Sequence, residues 1–238
     1  MKEGQPALGV EVASERTCVS LSRTMDRPPR MLERPKLRSS LPLWTSEIQQ
    51  ILRGYRFQGV DDPPNLPRAA VALVLRDGDR GSEFIAIHRA HRHGDPWSGH
   101  VALPGGRHQP GDSDLVGTAI RETREEIGVD LDRNADLVTE LDELRAVGRG
   151  QLLDLVIRPV LFVLRNPVSL NPNPAEVQNA LWIPLAVLRD AHATSSPQKP
   201  MGSAHPAVEF RGYTIWGLTH RILSRFVELV TSQRETLA

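Results

Sequence analysis

The sequence of 238 residues predicts an α/β fold of the α+β kind, a mixed β-sheet sandwiched between α-helices. Three observations predict it. Apolar runs of strand length lie both before and after a single, highly charged helical stretch, so strands and helices do not alternate one for one. Turn signals rich in Gly, Pro, Asn and Asp separate the runs, and the C-terminal part repeats apolar residues at helical spacing.

The elements follow in order. Residues 1–41 are rich in Arg, Ser and Pro without sustained apolar periodicity, which predicts a flexible tail. From Thr45 or Ser46, a capping hydroxyl, Glu47 in the first turn, and Ile48, Ile51, Leu52 and Tyr55 on one face predict a short helix. A Pro-rich connector leads to 69–75, whose β-branched, uniformly apolar character predicts a buried strand. The turn Asp77-Gly78-Asp79 leads to a second strand at 83–88, and 100–103 predicts a third before Pro104-Gly105-Gly106. Asp112 or Ser113 is expected to cap a helix with Leu115, Val116, Ala119, Ile120, Thr123 and Ile127 on its apolar face, ended by Gly128. One strand over 136–147, another over 152–164, an Asn/Pro loop over 166–174 and a short helix over 184–191 complete the middle. Trp216, Thr219, Ile222, Leu223, Phe226 and Val230 predict a core-facing helix over 215–230. No internal repeat or second core is visible, so 42–238 reads as one domain with its core at about 68–232.

Composition limits the partners. Lys+Arg and Asp+Glu number 29 each, giving a formal net charge of zero and no global field to hold a nucleic acid. Cys18 is the only cysteine, which excludes an internal disulfide and a cysteine-based metal site and predicts a reducing, cytoplasmic setting. The longest apolar run, 152–164, is broken by Asp154 and Arg158 and is too short to span a membrane, and 1–10 lacks the pattern of a secretory signal. A homodimer is allowed, not required.

The charged helix carries Arg121-Glu122-Thr123-Arg124-Glu125-Glu126-Ile127-Gly128. Its spacing puts Glu122, Glu125 and Glu126 along one helical edge, where like charges repel unless a cation neutralises them. Such hard oxygen donors suit Mg²⁺ or Mn²⁺. Runs of Glu and Arg also form solvated faces, with Arg121 or Arg124 pairing to neighbouring Glu, and the residues alone leave both readings open. Five histidines, His88, His91, His93, His100 and His108, crowd the segment before this helix. None has the helical i, i+4 spacing of a zinc protease, so carboxylates are the preferred metal donors.

With Leu103-Pro104-Gly105-Gly106-Arg107 upstream of it, the stretch from Gly106 through Val129 resembles the Nudix box, a glycine followed by an acidic residue and then Arg-Glu-x-x-Glu-Glu-x-Gly. The interval from Gly106 to Arg121 is one residue longer than usual, and Asp112 or Asp114 stands for the intervening Glu. That longer interval resembles the coenzyme A diphosphatase branch. So do Asn171-Pro172-Asn173-Pro174-Ala175-Glu176-Val177 leading to Trp182-Ile183-Pro184-Leu185, and Tyr213-Thr214-Ile215-Trp216-Gly217-Leu218-Thr219. The branch signature ahead of the box departs: Arg89-Ala90 and Gly99 match, whereas Leu103 replaces a Phe and an extra residue sits in 94–99.

The resemblance implies a Nudix-like sheet between helices and hydrolysis of a pyrophosphate bond with Mg²⁺ or Mn²⁺. It implies Glu122, Glu125 and Glu126 as metal-binding carboxylates, with the backbone carbonyl of Gly105 reaching the same ion and Arg121 orienting the glutamates. Glu125 or Glu126 is the expected base or water-orienting group, with Glu176, a loop glutamate, next. Arg89, Arg92 and Arg107 are candidates to grip substrate phosphates, and Trp97 to stack on a base. The implied substrate is coenzyme A or its derivatives, giving adenosine 3′,5′-bisphosphate and 4′-phosphopantetheine. ADP-ribose, dinucleotides or nucleotide sugars are the alternative substrates, and a Nudix-fold module that senses a ligand without catalysis is the alternative of a different class.

Overall fold

The computed structural model describes residues 42–61, 65–91, 98–148, 151–190 and 206–237. The expected flexible tail, 1–41, lies outside them. The chain begins with helix α1 (Thr45–Ile51) and enters strand β1 (Arg68–Gly78), which turns back through a two-residue turn into β2 (Gly81–Arg89). Two short strands follow, β3 (Val101–Ala102) and β4 (Gly105–Arg107), then helix α2 (Leu115–Ile127) and the single turn α3 (Leu131–Asn134). Strands β5 (Ala135–Glu140), β6 (Leu144–Gly148) and β7 (Gln151–Leu164) precede β8 (Val177–Pro184) and α4 (Ala186–Asp190). The described chain closes with a hairpin of β9 (Ala207–Phe210) and β10 (Tyr213–Trp216) and with helix α5 (Gly217–Leu237).

The large sheet runs β3-β2-β1-β7-β5, with β4 paired to β1, β6 to β7 and β8 to β2. β1 and β7 are parallel and the other pairs antiparallel, so the sheet is mixed as expected. β1 lies between two apolar layers. Ala70, Ala72 and Val74 pack with Leu115, Ala119 and Ile127 of α2, while Leu73 and Leu75 pack with Ile48 of α1, with Leu52 at its C-cap and with Leu223 and Phe226 of α5. Burial on both faces explains why this strand is apolar almost throughout and does not alternate.

Several boundaries differ from the sequence reading, each for a physical reason. Asp114, not Asp112 or Ser113, caps α2 by accepting the Gly117 N–H at 2.7 Å, because Asp112 is engaged elsewhere. Gly128 ends the helix in the left-handed conformation, as expected. Trp44 occupies the N-cap of α1 without a side-chain cap, and the carboxylate of Asp77 accepts the Thr45 N–H at 2.8 Å and its hydroxyl at 3.0 Å. The single strand expected over 136–147 is two, since Asp142 turns inward to accept the Tyr55 hydroxyl (2.6 Å) and the Gln58 N–H (2.7 Å). Gly105-Gly106-Arg107, to which the sequence assigned no element, is β4. Trp216 ends a strand; the last helix starts one residue later.

Candidate functional site

Glu126 is the centre of the site. It lies in the last turn of α2, on the face turned to the sheet, with 2% of its surface exposed. The Gly105 N–H donates to its Oε2 at 2.9 Å, and Nη1 of Arg89, the last residue of β2, stands 3.9 Å from Oε1. Burial pushes this carboxyl up to about 8, the Gly105 N–H and Arg89 oppose the shift, and the charges of Glu122 and Glu176 add to it. Glu122, one turn earlier, is also raised, chiefly by burial, with Arg121 opposing and Glu125 and Glu176 adding.

The backbone approaches these carboxylates closely at two glycines. A Cβ on Gly106 would overlap the carboxylate of Glu122, and one on Gly105 would overlap the carbonyl oxygen of Ala70 in β1. The two glycines therefore let β4 lie flat against α2, so that a main-chain N–H reaches a buried carboxylate.

Arg121 organises the outer edge. Its Nη1 donates to Glu122 Oε1 and Glu125 Oε2, both at 2.9 Å, and its Nη2 to the carbonyl of Arg107 at 3.2 Å. Its other side grips Asp112 in two bonds, Nε to Oδ1 at 2.7 Å and Nη2 to Oδ2 at 3.1 Å. Arg121 holds the Asp112 carboxyl well below the usual range, and Asp112 in turn raises the guanidinium. Asp112 also accepts the Thr118 hydroxyl at 2.8 Å and the Gln109 N–H at 2.9 Å. Sequence reasoning placed Asp112 at a helix cap or in the box and missed it as the holder of Arg121. The cue was its interval of nine residues from Arg121, which becomes a contact once the loop curls back on the helix.

Glu122, Glu126, Glu176, Arg89 and Gly105 are thus brought together, while Glu125 is joined through Arg121 and is half exposed. Arg107 is exposed, and the contact described for it is its carbonyl bond to Arg121. Arg92 and Trp97 lie outside the described residues. Of the histidines, His88 packs edge-on against Tyr213, His100 against Trp216, and His108 bonds the Thr118 hydroxyl at 2.9 Å, while His93 lies outside the described residues. Among the described residues, no three His, Cys, Asp or Glu groups converge to hold a metal ion in this arrangement. The donor chemistry fits a hard divalent cation nonetheless: Glu122 and Glu126 offer carboxylate oxygens whose charges disfavour one another, Arg121 meets one oxygen of Glu122, and Arg89 stands 3.9 Å from Glu126.

Residues 66–202 match the NUDIX domain family. Among curated proteins, the chain is 35% identical over 167 residues to "Nudix hydrolase 15, mitochondrial" of Arabidopsis thaliana, covering 66% of this chain and 56% of that protein. It is 32% identical over 171 residues to a mitochondrial coenzyme A diphosphatase of Homo sapiens, covering 69% of this chain and 70% of that protein. A peroxisomal coenzyme A diphosphatase of Caenorhabditis elegans is 32% identical over 132 residues, 52% of either chain. The chain spans 56%, 55% and 32% of the length of the first three curated relatives it matches. No described helix is long and apolar enough to cross a membrane.

Proposed function

This chain belongs to the NUDIX domain family, and from that premise we propose that it hydrolyses the pyrophosphate bond of coenzyme A or its derivatives with the help of Mg²⁺ or Mn²⁺. One observation carries the reading: a glycine N–H and an arginine converge on a buried helical glutamate that has two further glutamates within electrostatic reach. The similarity to two proteins named as coenzyme A diphosphatases supports coenzyme A as the substrate.

A bound divalent cation would supply neutralisation of the phosphate charge and a lowered pKa for the attacking water. Glu122, Glu125 and Glu126, with the Gly105 carbonyl, are the residues that would hold it. The protein's own groups set the stage. Arg121, fixed by Asp112, keeps the Glu122 and Glu125 carboxylates aimed to one side. The Gly105 N–H fixes which Glu126 oxygen remains available, and Glu125 or Glu126 is the base or water-orienting group. Glu176, whose charge is felt at Glu126, is the next candidate for the base, and Arg89, beside Glu126, is placed to meet a substrate phosphate.

The test is incubation of the protein with Mg²⁺ and coenzyme A while adenosine 3′,5′-bisphosphate is followed by chromatography. Release is expected, and Glu122→Gln is expected to lower kcat by about 100-fold or more without loss of fold. Mg²⁺-dependent turnover of ADP-ribose or a dinucleotide alone would replace the substrate and keep the chemistry. Absence of turnover on all of them would favour a module that binds its ligand without catalysis.

A further inference from the structure

The segment Tyr213-Thr214-Ile215-Trp216-Gly217-Leu218-Thr219 has no role in the chemistry above, yet it touches three of the strands that feed the site. We propose that Thr219 and Trp216 are positioning residues, which hold β3 so that Gly105 and Arg89 both reach Glu126. The inference rests on the functional reading for its kinetic arm only.

The argument starts from β3. It has two residues, lies at the edge of the sheet and pairs only with β2, Val101 opposite His88 and Ala102 opposite Ile87. Its neighbouring carbonyls point to opposite sides. The His100 carbonyl accepts the Arg89 N–H at 3.0 Å, toward β2, whereas the Val101 carbonyl faces away from the sheet and accepts the Thr219 hydroxyl at 3.1 Å. Thr219, buried in the first turn of α5, therefore does for this edge what a further strand would do. The Trp216 ring packs edge-on against His100, 4.7 Å between centroids.

What β3 carries makes this matter. Four residues beyond Val101, after buried Leu103 and after Pro104, whose carbonyl accepts the Ala72 N–H at 2.8 Å, comes Gly105 with its bond to Glu126. Arg89, tied by its own N–H to His100, brings its guanidinium to the other Glu126 oxygen. Both groups that stabilise the charge of Glu126 are thus tied to β3: Gly105 follows it after two residues, and Arg89 bonds His100 immediately before it. Tyr213 extends the brace, packing against His88, next to Arg89, and accepting the Asn179 side-chain N–H at 3.0 Å, three residues from Glu176. Gly217, with φ +61°, turns the chain from β10 into α5, which lets one short segment present a strand face and a helix face together.

The experiment is NMR on ¹⁵N-labelled protein, read at the Gly105 amide, alongside steady-state kinetics. Thr219→Val is expected to shift that amide resonance and speed its hydrogen exchange by about 10-fold, the loss expected for one buried hydrogen bond. The same variant is expected to lower kcat by about 10-fold with KM changed less than about 2-fold, since the interaction lost acts on geometry and not on uniform binding. Thr219→Ser restores both. Trp216→Phe, which keeps a ring against His100, leaves the amide in place, and Trp216→Ala moves it. An unchanged Gly105 amide in Thr219→Val, or a displaced amide in Thr219→Ser, overturns the proposal. If the wild type turns over none of the substrates, the functional reading fails and the amide measurement alone decides the positioning role.

Discussion

Glu126 carries an unusual electrostatic load, because it is buried with only a main-chain N–H and a more distant guanidinium beside it. Its carboxyl is raised in the fold to about 8 and returns to near 4.5 on unfolding. The folded, metal-free protein therefore binds more protons than the unfolded chain between these values, and its stability falls as pH rises from about 5 to 8. Glu126→Gln, which cannot ionise, is expected to flatten that profile and to raise Tm at pH 8 by several degrees relative to wild type. Thermal melts in a chelator across this range check it; a flat wild-type profile would show that Glu126 has an ordinary carboxyl. Its burial was not legible in the sequence, where three glutamates shared one helical edge. Glu126 differs from Glu125 because it lies on the face of α2 turned to the sheet, with Ala119 and Thr123, and because the Gly105 N–H of β4 closes over its carboxylate, which is a long-range contact.

At the scale of elements, local signals located most helices and strands, while the cap of α1 was decided across the chain. The apolar stripe of α2 and the left-handed Gly128 follow from residues within the helix and beside it. The cap of α1 does not, since its acceptor is Asp77 at the end of β1, 32 residues away. Asp77→Ala is expected to cost about 1 kcal/mol, lowering Tm by about 2–4 °C and leaving kcat unchanged. A calorimetric scan with an activity assay on the same sample checks both halves. β8 and the β9–β10 hairpin escaped the reading for other reasons: β8 is partly polar, with Gln178 and Asn179 exposed, and the hairpin turns on Arg211 and Gly212, both with positive φ. Arginine in that conformation is not a turn signal.

Across the whole molecule, one polar cluster around Glu143 ties the connector before β1 to the sheet. Glu143, 1% exposed in its side chain, accepts from Arg68 of β1 and from Arg158 of β7, whose guanidinium also reaches Glu140 at 2.7 Å and lies over the ring of Phe57. Its second oxygen accepts the Val60 N–H at 3.2 Å. Removing one charge leaves two buried or half-buried guanidinium groups short of a partner, so Glu143→Gln is expected to destabilise by about 3–5 kcal/mol, seen as a lower urea midpoint, with turnover per folded molecule retained. An unchanged midpoint would mean that the cost of burying the charges cancels the attraction between them. The sequence by itself determined the fold class, the charged helix with its glutamates and the glycines before it, because periodicity, turn chemistry and a dense local motif all act over a few residues. Tertiary structure alone decided which glutamate is buried, that Asp112 holds Arg121, and that a segment more than a hundred residues downstream braces β3. Those depend on pairings between distant strands, and a carboxylate's charge and reach are set by whatever the fold places against it.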